Sequence, residues 1–234
     1  MVLVKFSSII LITVVILQGI CVPMVTQQQG FFEFPIIQGL ENKARNIFFH
    51  VPVAWTTVLA YFTALYYGYR YLKTKEIIYD HKSVSAAGLG LMFCILATIT
   101  GSIWARFTWG SFWNWDPRET SIFILLLIYG AYFALRSAIE VAEKRATLSA
   151  VYSIIAGLTT PFFIFVLPRL VTGLHPGSKG DAAGRTPVQS MNMSGLMLIT
   201  FLIGLVGFSL LFIWMLQLRI KTIELEHKSL WNQQ

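Results

Sequence analysis

Residues 83–105 read SVSAAGLGLMFCILATITGSIWA, a stretch without one Asp, Glu, Lys or Arg. A helix needs about 20 mostly apolar residues to cross the hydrocarbon core of a bilayer. Lipid offers no partners for backbone N–H and C=O groups, so such a run folds as a helix and not as a loop or an open sheet edge. Five more charge-free runs accompany it, at Phe6–Phe32, Asn46–Tyr69, Thr120–Leu135, Ala146–Pro168 and Thr186–Leu218. Thr120–Leu135 is short and recruits Pro117–Glu119 at its outer end. The expected fold is all-α: a polytopic integral membrane protein with six transmembrane helices and both termini cytoplasmic. A single membrane domain covers 1–234, with spans near 7–26, 51–70, 84–105, 117–136, 147–167 and 195–217 and an outer tryptophan-rich loop at 106–120.

Composition agrees. The chain is 56% hydrophobic and only 12% charged, with mean hydropathy +0.65, against about 25% charged residues in an ordinary soluble domain. Lys5 before an apolar stretch resembles a secretory signal, but the apolar core is long and no Ala-x-Ala-like cleavage site follows, so the first run reads as a retained span. With the termini inside, eleven Lys and Arg residues fall in inner segments and seven in outer ones. That bias sets the orientation. The net charge of +7 follows from these loops; no dense basic patch interleaved with aromatics suggests a nucleic acid partner. The inner loops are too short for an ATPase domain, and no glycine-rich phosphate loop is present. Cys21 and Cys94 lie in separate apolar runs and belong to no Cys-x-x-Cys-His sequence, so the chain carries no covalent c-type heme of its own.

Topology then sorts the four histidines. His81 and His227 fall in inner segments rich in Lys and Glu, as solvated surface residues do. His50 and His175 fall outside, each near a proline: His50-Val-Pro52 opens the second span, and His175-Pro176 lies between the fifth and sixth. A proline restricts the backbone before it and can seat a helix start. Alone, each histidine reads as an interfacial polar residue. As a pair on one side they can fill both axial positions of a heme iron. Two histidines 125 positions apart, with no outer Cys and no third outer His, do not make a tetrahedral zinc site.

Between them in sequence, residues 109–120 read WGSFWNWDPRET. The segment is too polar for the bilayer interior and too aromatic for an ordinary water-facing loop. Asp116-Pro117-Arg118-Glu119 has the form of a helix start, with Asp as N-cap, Pro at the first helical position and Glu closing a capping box. Arg118 at that terminus, with Arg106 nearby, suits an anionic carboxylate. Trp109, Trp113 and Trp115, interspersed with Gly110, Ser111 and Asn114, read either as interfacial anchors or as a flat apolar platform. Trp113 and Trp115 share a face if the segment is extended, Trp109 and Trp113 if it is helical.

Trp109-Gly110-x-x-Trp113-x-Trp115-Asp116 resembles the signature of the tryptophan-rich membrane proteins that handle heme in cytochrome c biogenesis. The span count, His50-Val-Pro-x-Ala-Trp55 and His175-Pro are similar to the heme exporter protein C (CcmC) family. The resemblance runs from about Ala44 to the last span. It implies non-covalent heme b at the outer face of a bacterial inner (cytoplasmic) membrane, with His50 and His175 as bis-histidine iron ligands. It also implies that Trp109, Gly110, Trp113, Trp115, Asp116 and Arg118 cradle the heme, and that this platform helps dock a periplasmic heme chaperone. ABC-type transporter subunits and a small membrane subunit complete the implied complex. No nucleophile–base pair is visible, so the expectation is a handling protein and not an enzyme. The Asp116-Pro-Arg-Glu-Thr120 tail is closer to the CcsA-like cytochrome c synthase branch, which attaches heme to apocytochrome c and stands as the alternative.

Overall fold

The computed structural model describes residues 2–37, 40–175, 178–179, 193 and 195–231, with side chains to 226. Among the described residues, six helices are long and apolar enough to cross a membrane. They are α1 (Val2–Cys21), α2 (Ile47–Thr74), α3 (Ile77–Trp109), α4 (Pro117–Ser137), α5 (Ala142–Pro161) and α6 (Gly195–Trp231). A 3-10 turn, Glu41–Asn46, leads into α2. Beyond Pro161, α5 continues as a π-helical stretch, Phe162–Val166, and a last turn, Leu167–Leu170. Of the segment expected as loop over 106–120, residues to Trp109 belong to α3 and those from Pro117 to α4.

The ends of these helices have local causes. Helix α1 stops at Cys21 because Pro23 follows and the chain turns into a two-residue strand, Met24–Val25, paired in parallel with Phe34–Pro35. Its last carbonyls are satisfied by Arg45, whose guanidinium donates to the oxygens of Gly19 and Val22 at 2.8 and 2.9 Å. A cation there also complements the helix dipole. Helix α3 ends at Gly110, whose φ of 84° closes the helix with a bond from its N–H to the Arg106 carbonyl. Glycine is suited to that left-handed C-terminal position.

Without water between helices, association in lipid depends on close packing at small residues. Gly90 on α3 shows this against α2, since a Cβ there would lie 2.5 Å from the Tyr61 ring. That clearance lets Tyr61 stack face to face on Tyr129 of α4, with ring centroids 3.4 Å apart. This stack and Phe93, Cys94, Leu125 and Tyr132 form the centre of the α2–α5 core. A second core joins α1 and α6 to the start of α2, around Val15, Phe48, Met197 and Phe201. Thr200 of α6 donates to the Gln18 side chain of α1 at 2.9 Å across it.

At one end of the bundle Arg136, in the last turn of α4, makes a bidentate pair with Asp80 in the first turn of α3, at 2.8 and 2.6 Å. The other end gathers the start of α2, the end of α3, the start of α4 and the end of α5. His50 and His175 both lie there.

Candidate functional site: two tethered histidines on one cavity

A cavity of about 280 Å³ opens between these four helix ends. His50, Ala54, Trp55 and Val58 of α2 form one wall. Ala97, Gly101, Ser102 and Trp104 of α3 form the next. Arg118, Glu119 and Ile122 of α4 and Phe163–Phe165 of the π-helical stretch complete it, with Trp113 and His175 contributed from the loops. A π-helical stretch shifts side-chain register within a helix and is frequent at functional sites. Here it supplies two phenylalanines to the cavity.

Each histidine is held through its Nδ1. His50 Nδ1 lies 3.0 Å from Thr100 Oγ1. The Thr100 hydroxyl has the Leu96 carbonyl of its own helix at 2.8 Å to donate to, which suits the tautomer in which His50 Nδ1 carries the proton and Thr100 accepts it. The ring packs flat on α3 where a side chain is missing: a Cβ on Gly101 would meet His50 Cε1 at 2.9 Å. His175 Nδ1 lies 2.7 Å from Asp116 Oδ1, with the carboxylate fully buried. A carboxylate only accepts, so His175 Nδ1 carries the proton. With the proton on Nδ1, Nε2 is the unprotonated nitrogen in both rings, a tautomer that metal-bound histidines usually adopt.

Asp116 joins three pieces of the structure. It caps α4 by accepting from the Arg118 N–H at 2.9 Å, fixes the loop after α5 by accepting from the Leu174 N–H at 2.6 Å, and orients His175. Burial pushes its pKa up, but the His175 hydrogen bond and charge and the two N–H donors outweigh that and hold it down at about 2. Asp116 is therefore a carboxylate at neutral pH. Gly173 makes the junction possible, because a Cβ there would fall 2.7 Å from Asp116 Oδ2.

The capping box expected at Asp116–Glu119 is present. Glu119 Oε2 accepts from the backbone N–H groups of both Asn114 and Asp116, at 2.7 and 3.2 Å. The residue between them, Trp115, has φ of 55°, a left-handed conformation uncommon for a bulky residue. That turn lets two N–H groups on either side of Trp115 converge on one oxygen. It also throws the Trp115 ring outward, where it is 68% exposed.

The three signature tryptophans thus occupy three surfaces. Trp109 is half-buried behind His175, edge to face with ring centroids 4.6 Å apart. Trp113 lines the cavity. Trp115 faces away from it, in edge contact with Trp113 and Phe123 at 5.8 and 6.3 Å. Gly110 ends α3 and is exposed, while Arg118 is on the cavity wall. Sequence reasoning missed Trp104, which lines the cavity and touches both Trp109 and His175, at 5.0 and 6.1 Å. It also missed Thr100, Gly101 and Gly173. Only the Thr-Gly-Leu-His175 context of Gly173 offered a signal.

Two tethered imidazoles, aromatic walls and one arginine surround an apolar cavity, and among the described residues no three His, Cys, Asp or Glu side chains gather into a metal site. Fold and site together define a polytopic helical membrane protein with a two-histidine cavity at one end of the bundle. Comparison with known proteins gives the class a family. The family model described as heme exporter protein C matches residues 2–233, and this chain belongs to that family. It is 29% identical to heme exporter protein C of Rhodobacter capsulatus over 193 residues, covering 82% of this chain and 78% of that one. It is 30% identical to the Bradyrhizobium diazoefficiens protein of the same name over 167 residues, 71% of this chain and 61% of that one. A cytochrome c biogenesis protein CcsA, from Spinacia oleracea, is 35% identical over 96 residues, 41% of this chain and 29% of that one.

Proposed function

We propose that this chain is the heme-handling membrane subunit of a cytochrome c maturation system. It holds heme at the outer face of the bacterial inner membrane and delivers it to a periplasmic heme chaperone. The observation that carries this reading is the pair His50 and His175, 125 positions apart in sequence, each tethered at Nδ1 and both lining one cavity. Bound heme supplies an iron that accepts two imidazoles and a vinyl-bearing ring for later attachment. His50 and His175 bind the iron through Nε2, non-covalently, as in a b-type heme. Trp113, Trp104 and the α2 and α5 side chains cover the ring, and Arg118 at the N-terminus of α4 receives a propionate. Trp115 and Phe112, 68% and 58% exposed beside this end, offer the chaperone an aromatic landing surface.

On this reading both termini are cytoplasmic, an orientation supported by the excess of Lys and Arg at the opposite end. A family named for an exporter supports membership of a transporter-type complex; on this reading ABC-type transporter subunits and a small membrane subunit complete it. No residue of this chain makes or breaks a covalent bond; it positions heme for chemistry performed by the chaperone. The CcsA match keeps a second reading specific: a synthase subunit that attaches heme to apocytochrome c. Reconstitution separates the two. The hemin-loaded chain should transfer heme to a purified periplasmic chaperone and attach none to an apocytochrome bearing Cys-x-x-Cys-His. Attachment without chaperone would replace handling with synthesis.

A further inference from the structure

The two histidines are tethered by unlike partners. His175 donates to a buried carboxylate, Asp116, at 2.7 Å; His50 donates to a neutral hydroxyl, Thr100, at 3.0 Å. A hydrogen bond to an ionised acceptor is roughly twice as strong as a neutral one. Drawing the Nδ1 proton toward an anion raises electron density at Nε2 and makes that imidazole the better iron ligand. Thr100 cannot do the same, because toward an Nδ1–H it offers only the lone pair of a neutral hydroxyl.

The surroundings reinforce the difference. The His175 loop is pinned by a second bond to the same carboxylate, from Leu174 N–H, and its ring is backed by Trp109 and Trp104. The His50 ring lies over the bare backbone of Gly101 and is held only by neutral acceptors, Thr100 Oγ1 and the Ala97 carbonyl.

Resting on the reading of His50 and His175 as the heme ligands, we propose that the two are functionally unequal: His175, tied to Asp116, is the retained ligand, and His50, tied to Thr100, is the one released when an incoming ligand takes the iron. Asp116 and Thr100 are then positioning residues that set the direction of hand-over. Heme stays anchored on the α4 side while the position facing α2 and α3 opens for the acceptor's own ligand. No electron transfer is involved; one iron–nitrogen bond breaks as another forms, and His50 leaves as a neutral imidazole.

The test uses the full-length hemin-loaded protein in its ferrous state with carbon monoxide as the incoming ligand. Carbon monoxide displaces the weaker histidine, and brief photolysis leaves a five-coordinate iron on the retained one. The iron–histidine stretch, read by time-resolved resonance Raman, should shift to lower frequency in Asp116→Asn and keep its wild-type position in Thr100→Val. Because Asp116→Asn also touches the α4 cap, His50→Ala provides an independent arm: its photoproduct band should coincide with wild type. A band that moves in Thr100→Val and not in Asp116→Asn, or that moves in both or neither, overturns the inequality. A wild-type protein with no bis-histidine spectrum before carbon monoxide is added defeats the underlying heme reading instead.

Discussion

Asp116 accepts the Nδ1 proton of His175 at 2.7 Å while the same carboxylate caps α4. One side chain thereby ties the start of a membrane helix to a histidine that arrives from the far side of α5. The site is built into the way the bundle closes at this end.

Replacing Asp116 separates its duties. Asp116→Asn retains an N-cap acceptor, whereas Asp116→Ala loses the cap, at about 1 kcal/mol. Both remove the anionic partner of His175. Loss of such a partner typically lowers metal affinity about 10–100-fold, so hemin titration should show a weakened site in both variants. Unchanged affinity in Asp116→Asn would show that the carboxylate does not act through His175.

Gly173→Ala should mimic that loss without replacing a functional side chain. The new methyl would meet Asp116 Oδ2 at 2.7 Å and Pro117 Cδ at 3.0 Å, displacing the carboxylate from His175. Helical circular dichroism should stay at wild-type intensity while the Soret spectrum changes.

Gly101→Ala addresses the other ligand. Its methyl would press on the His50 ring at 2.9 Å, whereas Gly130 on α4 has nothing within 4 Å of an added Cβ. Gly101→Ala should reduce hemin binding, and Gly130→Ala should leave it unchanged. Equal binding in the two would mean that His50 does not need its seat on α3.

Arg136→Met tests whether stability and site can be separated. Removing one member of a buried ion pair costs about 3–5 kcal/mol, so thermal or denaturant unfolding in detergent should be much easier. The heme spectrum of the folded fraction should not move, because the pair with Asp80 lies at the opposite end of α3 and α4 from the histidines.

Trp113→Ala and Trp115→Ala should differ in kind. Trp113 lines the cavity and Trp115 is 68% exposed. The first should weaken hemin binding; the second should leave hemin binding intact and slow transfer to the chaperone, as a stopped-flow transfer assay would read.

The bundle was legible in the sequence because lipid leaves a charge-free run one backbone solution, and six such runs became six helices. The helix start at Asp116 was legible for a similar reason, since its residue types satisfy known orphan N–H groups. His50 and His175 stood out because histidines are few and topology divides them. What supports them was hidden. Thr100, Gly101 and Trp104 sit inside an apolar run, where a threonine or glycine ordinarily marks helix packing and a tryptophan a membrane interface. The left-handed turn at Trp115 was also invisible, because it arises from two N–H groups converging on Glu119. That turn is why Trp113 and Trp115 do not form one flat face. Asp116 looked like a cap, and its bond to a histidine 59 positions away depends on a tertiary contact that no local pattern encodes.

The central claim is that His50 and His175 together bind one heme iron. Electron paramagnetic resonance of the ferric hemin-loaded protein tests it most directly, with wild type set beside His50→Ala and His175→Ala. Wild type should give a low-spin, bis-histidine signal, and each single variant should convert to a high-spin or exogenously ligated form. A low-spin bis-histidine signal that survives both substitutions would contradict the account.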